Sequence, residues 1–335
     1  MKVLLTGGSG TVGREILKTL CIHKTYDITA FDLNNRSSKN FYKPYRNKIN
    51  VKLGDLTERR DIEAVCRNID FVIHLAAIIP PLADKKPELA YRVNTLGTYN
   101  LIRSLEKHSQ DAFFLFASSV SVYGDRIENP QIKVNDALHP SKRDGYAKTK
   151  IKAEQLVRKS KLDWSIFRLS AILGTNNLKF SGLMFHMPLK TSFEITTPKD
   201  TSRAFVKALT KREHLSKKVF NLGGGERCRI TYENFLSKSF SILGLGRLNF
   251  PKKTFAEKNF HCGFYADGYK LEGLLNYRRD SLDTYFKELK NSVSTLKKAT
   301  FYLLKSLIKK YLLSLSDPYK AYQRKEKSEL KHFFN

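Results

Sequence analysis

The chain has 335 residues, 41% of them hydrophobic, with 60 Lys and Arg against 32 Asp and Glu for a formal charge of +28. That apolar content excludes a disordered chain, the length allows a full core in two domains, and no apolar run is long enough to span a bilayer. The positive balance attracts phosphates, nucleic acid or anionic lipid, but no nucleic-acid-binding motif accompanies it, so a nucleic-acid partner is not expected.

The first predicted strand, Val3-Leu4-Leu5, runs into Thr6-Gly7-Gly8-Ser9-Gly10-Thr11-Val12-Gly13 and then the helical run Arg14 to Leu20. Glycines at 7, 10 and 13 between strand and helix suit a tight turn, close backbone approach to a pyrophosphate, and helix-on-strand packing. The helix N-terminus offers free N–H groups to the anion. A second strand, Ile28 to Asp32, places Asp32 19 residues past Gly13, where a carboxylate accepts from ribose hydroxyls and repels a 2′-phosphate. NAD is therefore expected in preference to NADP, although Arg36 lies close enough to soften the repulsion.

Apolar runs at 50–56 and 71–77, separated by a helical stretch at 58–67, extend the strand–helix alternation of a parallel, doubly wound sheet. Helices are predicted over 87–107 and 145–159 from apolar residues at helical spacing. Between them Phe113-Phe114-Leu115-Phe116-Ala117-Ser118-Ser119 reads as a buried strand ending in hydroxyls. Tyr146 and Lys150 stand four residues apart, one turn along the same helix face. A free tyrosine, with a pKa of about 10, is a poor base at neutral pH; a nearby ammonium and a positive nicotinamide ring both favour its phenolate. That pair can move a proton to or from a substrate hydroxyl while hydride is exchanged at the same carbon.

Six stretches occur in an order that resembles the extended short-chain dehydrogenase/reductase superfamily, and within it the NAD-dependent epimerase/dehydratase family. They are Thr6 to Gly13, Gly54-Asp55-Leu56, His74-Leu75-Ala76-Ala77, Asn94 to Asn100, Phe116 to Gly124, and the Tyr146/Lys150 pair. Val219 to Gly225 and Asp267 to Tyr277 look like the family's closing strand and final helix region. The resemblance covers about residues 1 to 289. It implies a Rossmann-type sheet with a small C-terminal substrate domain, NAD as cofactor, and catalysis by Ser119, Tyr146 and Lys150. It also implies cofactor contacts from Gly7, Gly10, Thr11, Val12, Gly13, Asp32, Asp55, Leu56, Leu75, Ala76, Ala77, Asn94, Tyr146 and Lys150. Ser119 takes the position that hydrogen-bonds the reacting oxygen, Asn94 supports the active-site backbone, and His74 packs at its strand end. The helices at 87–107 and 145–159 would pair with those of a second subunit in a homodimer.

The substrate is less legible. Sugar-nucleotide epimerases carry an asparagine where this chain has Ala171, and the segment 174–200 is short for a pocket that covers a nucleotide. Lys179, Lys190, Lys199 and Arg203 could supply phosphate charge. An epimerase or reductase acting on a sugar nucleotide is the leading expectation. A reductase of a smaller alcohol, of hydroxysteroid, dihydroflavonol or threonine type, is the alternative. A non-catalytic dinucleotide sensor is more remote because the Tyr/Lys pair is kept, and a dehydratase would want an acid beside Ser119.

Three units are expected: an NAD-binding Rossmann domain with the Tyr/Lys helix at 1–170, a substrate region interleaved with returning Rossmann elements at 171–289, and a basic amphipathic helical tail at 290–335. Cys21, Cys66, Cys228 and Cys262 lack ligand-like spacing, which points to reduced thiols in a cytoplasmic protein and no metal site. With a strand starting at Lys2, no signal peptide is expected. The tail carries eleven Lys or Arg against three acids. Leu296, Leu303, Leu304, Leu307, Ile308, Tyr311, Leu312 and Leu315 read as one apolar face. Two readings of the tail stand: a helix docked on protein, or a peripheral contact of 290–315 with an anionic membrane at its inner face.

Overall fold

The computed structural model describes residues 1–23, 25–175 and 180–334. In chain order the strands are β1 (Lys2–Thr6), β2 (Asp27–Leu33), β3 (Asn50–Gly54), β4 (Phe71–His74), β5 (Phe113–Ser119), β6 (Gln131–Ile132), β7 (Asp163–Leu169), β8 (Ala171–Ile172), β9 (Ser192–Thr196), β10 (Lys218–Leu222), β11 (Arg229–Thr231) and β12 (Phe264–Tyr265). Seven of them form one sheet in the order β10-β7-β5-β4-β1-β2-β3, with every pairing parallel. β4 is buried at all four residues and β5 at its first six. Near-continuous apolar runs of this kind are what a parallel sheet covered by helices on both faces requires. The strand order reverses between β1 and β4, and ligand sites of such sheets open there, at the carboxyl ends of the strands.

Two core layers sandwich the sheet. One is built around Leu5, Ile16, Leu20, Phe113, Phe167 and Phe205; the other around Leu4, Val72, Leu101, Phe114, Val157 and Ile166. Alternate residues of β5 enter opposite layers, as the strand period of two dictates. Phe205 from the helix Pro198–Ala208, and Leu271 from the helix Tyr269–Leu275, belong to the first layer, so late segments return to complete the Rossmann sheet. A third core lies between the small sheet β11-β9-β8 and its helices, with Phe185, Phe193, Phe235, Phe240, Phe286 and Leu289 at its centre.

The helix expected over 87–107 is present but not uniform. Pro87–Tyr91 and Thr98–His108 are α-helical, and Arg92–Gly97 between them is π-helical. Insertions of this type are frequent at functional sites, and this one carries the buried Asn94.

The single-faced helix expected in the tail is corrected. Thr295–Leu303 and Lys305–Ser314 are separate helices broken at Leu304, and Asp317–Arg324 and Lys327–Phe333 follow. Phe301, Ile308, Leu312 and Leu315 pack on the third core, whereas Leu296, Leu303, Leu304, Leu307 and Tyr311 are exposed. Within each helix the buried and exposed residues lie on different sides: Phe301 stands five residues after Leu296, over a third of a turn round, and Ile308 one residue after Leu307, over a quarter of a turn.

Candidate active site

The turn after β1 is built for close approach. Gly7 has φ +74°, and a Cβ there would come within 2.8 Å of the Ala76 amide nitrogen. A Cβ on Gly13 would collide with the Gly7 carbonyl. The Gly10 amide donates to the Gly7 carbonyl at 3.1 Å and closes the turn. The helix Thr11–Ile22 then begins with no side-chain cap and no acidic residue in its first turn, leaving its N-terminal amides and dipole available to an anion. A cleft of about 350 Å³ opens beside this helix end, lined in part by Thr11, Arg14, Gly174 and Lys199, with the acids Glu15 and Glu288 also on its wall.

Asp32 stands at the tip of β2. Its Oδ2 accepts from the Ser9 amide at 2.8 Å and the Tyr42 hydroxyl at 3.2 Å, and its Oδ1 from the Leu33 amide at 2.8 Å. These donors fix a half-exposed carboxylate that retains accepting capacity toward ribose hydroxyls. Arg36 is exposed and opens the next helix, Arg36–Tyr42. Leu75 and Ala76 continue from β4 beside Gly7, their amides donating to the Thr6 carbonyl and the Thr6 hydroxyl; Ala77 follows them, half-buried. Leu56 is buried against Gly97. The Asp55 carboxylate turns to its own chain, accepting from the Thr57 amide and hydroxyl at 2.8 and 2.9 Å. The glycine turn, the uncapped helix end and the acid at β2 together fit a dinucleotide.

Tyr146 and Lys150 lie on the helix Gly145–Lys159, both buried, next to the end of β5. Asp144 caps this helix by accepting from the Ala147 amide at 2.8 Å, which sets its first turn and with it Tyr146. Burial pushes the Tyr146 phenol well above its ordinary value; the neighbouring Ser119 hydroxyl opposes the rise, and the Asp144 charge adds to it. The Lys150 ammonium does not point at the phenol. Its Nζ donates to the Ala117 carbonyl at 2.7 Å and sits 4.6 Å from the centre of the Phe116 ring. Burial lowers its pKa to about 8, with Glu154 opposing the shift. Ser119 is the half-exposed hydroxyl of the pair ending β5, while Ser118 turns inward and donates to Glu154 at 2.6 Å.

Asn94 acts as a brace. Its Oδ1 accepts from the Ile78 amide at 2.7 Å, and its Nδ2 donates to the Ile78 carbonyl at 2.9 Å and the Thr149 hydroxyl at 3.0 Å. One side chain thus ties the loop after β4 to the Tyr/Lys helix. His74 is fully buried between the hydroxyls of Thr6 and Thr98, at 2.6 and 2.9 Å, and burial lowers its pKa to about 3, leaving a neutral packing residue.

Of the basic residues expected to supply phosphate charge, Lys199 pairs with Glu288 at 2.6 Å. Arg203 is held by Asp200 and the Tyr277 carbonyl. Lys190 is exposed, and Lys179 lies outside the described residues.

The sequence reading missed the support behind the serines. Glu154 accepts from Arg168 at 2.9 and 2.7 Å, Arg168 also donates to the Tyr123 hydroxyl at 2.7 Å, and Tyr123 donates to Asn221 at 2.7 Å. The available signal was Glu154 one helical turn beyond Lys150. Also missed was the rim. His261 contacts Asp144 at 2.8 Å, and Arg143 reaches Glu329 of the last helix at 2.8 Å, so the turn before Tyr146 is tied to both later regions. A cleft of about 720 Å³ beside this rim is lined in part by Tyr123, Arg126, Asp136, His139, Lys142 and Asn259.

Residues 3–223 match the family described as NAD dependent epimerase/dehydratase family. The chain is 27% identical to D-erythronate dehydrogenase of Haemophilus influenzae over 182 residues, 51% of this chain; it spans about half the length of that relative, 55%. It is also 27% identical over 312 residues to an uncharacterized UDP-glucose epimerase of Bacillus subtilis, covering 83% of this chain and 92% of the relative. The fold is shared with UDP-glucuronic acid 4-epimerase of Bacillus cereus, solved with UDP-glucuronic acid and NAD. That likeness has a TM-score of 0.71 at 21% identity and covers 87% of this chain and 98% of the other. With two thirds of its length matched, and with the glycine turn, the acid at β2 and the Ser/Tyr/Lys group at the strand ends, the chain belongs to the NAD-dependent epimerase/dehydratase family of the extended short-chain dehydrogenases/reductases.

Proposed function

We propose that the protein uses NAD to oxidise and reduce a carbinol carbon, as an epimerase or reductase whose leading substrate class is a sugar nucleotide. The observation that carries this is the buried pair Tyr146 and Lys150 beside the carboxyl end of β5, where the Lys150 ammonium donates to the Ala117 carbonyl two residues before Ser119. NAD, when bound, would accept hydride from the carbon and return it. Tyr146 takes the hydroxyl proton at its phenolic oxygen and gives it back. Ser119 holds the reacting oxygen, and Lys150 contributes positive charge and a donor for the nicotinamide ribose. General acid/base assistance of this kind is worth about 10² to 10⁴ in rate. Burial pushes the phenol further from ionisation, so added positive charge is needed to make it a base.

Support for a sugar nucleotide comes from the long match to the Bacillus subtilis relative and from the ligand named for the Bacillus cereus structure. The engagement of Lys199 and Arg203 within the protein favours the second reading, a smaller alcohol, since neither is free to meet a diphosphate. We also infer a cytoplasmic homodimer joined through the helices that carry Asn94 and Tyr146, where Tyr91, Leu96 and Tyr99 are exposed. The deciding experiment incubates the protein and NAD with UDP-glucose, UDP-glucuronic acid, D-erythronate and a 3-hydroxysteroid in parallel. Epimer formation or NADH production identifies the class, and no turnover of any alcohol would remove the catalytic reading.

A further inference from the structure

The tail is fastened to the protein along one side. Phe301, Ile308, Leu312 and Leu315 pack on the third core, and the Lys309 ammonium donates to the Arg247 carbonyl at 2.6 Å. Further along, Ala321, Phe333 and Phe334 are buried with Ala256, and the Phe333 carbonyl accepts from the Glu257 amide at 2.7 Å. The helices Thr295–Leu303 and Lys305–Ser314 are therefore held in place, yet each turns large apolar side chains outward. Leu296 is 77% exposed, Leu303 79%, Leu307 66% and Tyr311 64%. Clustered exposure of large aliphatic side chains marks an interaction surface.

Charge selects the occupant. Residues 290–316 contain six lysines and no acid. A second copy of this surface would set lysines against lysines with no compensating carboxylate, and the core of a protein interface is depleted in Lys. A bilayer surface rich in anionic lipid accepts both features at once. Leucines enter the headgroup boundary, tyrosines sit at its level, and lysines face lipid phosphates. Lys305 lies 4.1 Å from the centre of the Tyr302 ring, so an amphipathic ring and a cation already stand together on the outer side. Among the described residues no helix is long and apolar enough to cross a membrane, which makes the contact one of surface docking.

We propose that the face formed by Leu296, Leu303, Leu307 and Tyr311 with the surrounding lysines docks the protein on an anionic lipid bilayer. The contact is independent of the catalytic reading. Each lysine near the surface contributes about a fivefold gain in partitioning at low salt.

The test is co-sedimentation of the full chain with vesicles of phosphatidylcholine alone or mixed equally with phosphatidylglycerol, at low and high salt. Binding is expected to the mixed vesicles only, falling at least tenfold at high salt. The double variant Leu303→Glu/Leu307→Glu should lose at least tenfold in binding while keeping the thermal melt of the parent, because both side chains are exposed. No binding to mixed vesicles, or binding unchanged by the double variant, overturns the proposal. So does an oligomer that the double variant converts to monomer while vesicles fail to bind, since a second copy then covers the face.

Discussion

Glu154 and Arg168 form a two-point ion pair, at 2.9 and 2.7 Å, with each side chain 2% exposed. The same carboxylate accepts from Ser118, the neighbour of Ser119, and lies one turn from Lys150, so one buried charge supports both the end of β5 and the helix of the catalytic lysine. Breaking such a pair from one side strips the buried carboxylate of its two-point partner and leaves only the more distant Arg158, at 3.9 Å, and Lys150 to balance it. Arg168→Met should therefore destabilise the fold by about 3–5 kcal/mol, and the double variant Glu154→Leu/Arg168→Met should recover a large part of the loss. Denaturant melts of the three proteins measure this, and a double variant no more stable than Arg168→Met would show that the pair does more than neutralise itself.

Tyr146→Phe keeps the ring among Ala83, Ala90 and Ile78 and removes only the hydroxyl. Turnover should fall by about 10² to 10⁴, with NAD affinity little changed. Ser119→Ala, which removes the hydroxyl beside Tyr146, should cost less but still markedly. A Phe variant with most of its activity would mean that another group moves the proton.

Lys150 gives a prediction for pH. Its folded pKa is lowered to about 8 from 10.5 by burial. Below about 8 the ammonium is charged in both states, and the fold bears the cost of burying it. Between 8 and 10.5 the folded protein has released the proton while the unfolded chain still holds it, so this group makes stability rise with pH. The full shift corresponds to about 3 kcal/mol, offset by about 1 kcal/mol for the hydrogen bond to Ala117. Lys150→Met should then be inactive yet about as stable as the parent or more so at pH 7, and the parent should gain on it toward pH 10. A stability difference that does not change with pH would contradict the lowered value.

What the sequence disclosed followed the range of the interactions. The glycine turn and the Tyr146/Lys150 spacing are local, so residue type and interval alone imply their geometry. Asn94 was recognisable by position, but its role as a brace depends on Ile78 and Thr149, 16 and 55 residues away. Arg168 looked like an ordinary strand residue because its partner lies on a different element, and an acid four residues from a lysine is unremarkable in a chain so rich in charge. In the tail, apolar periodicity showed that a helix buries something; only packing could show that Ile308 faces the core while Leu307, adjacent in sequence, faces out.

Asp32 carries the last prediction, on cofactor choice. Three donors from Ser9, Leu33 and Tyr42 hold its carboxylate at the tip of β2, so it cannot swing away from a ribose bound there without giving up hydrogen bonds. A 2′-phosphate would bring a second negative charge against this fixed one, and the exposed Arg36 is too free to neutralise both. NAD should bind at least several-fold tighter than NADP, and Asp32→Ala should narrow the gap by weakening NAD and admitting NADP. Calorimetric titration of both cofactors against both proteins measures this; a parent that binds the two equally would assign the ribose pocket to Arg36 instead.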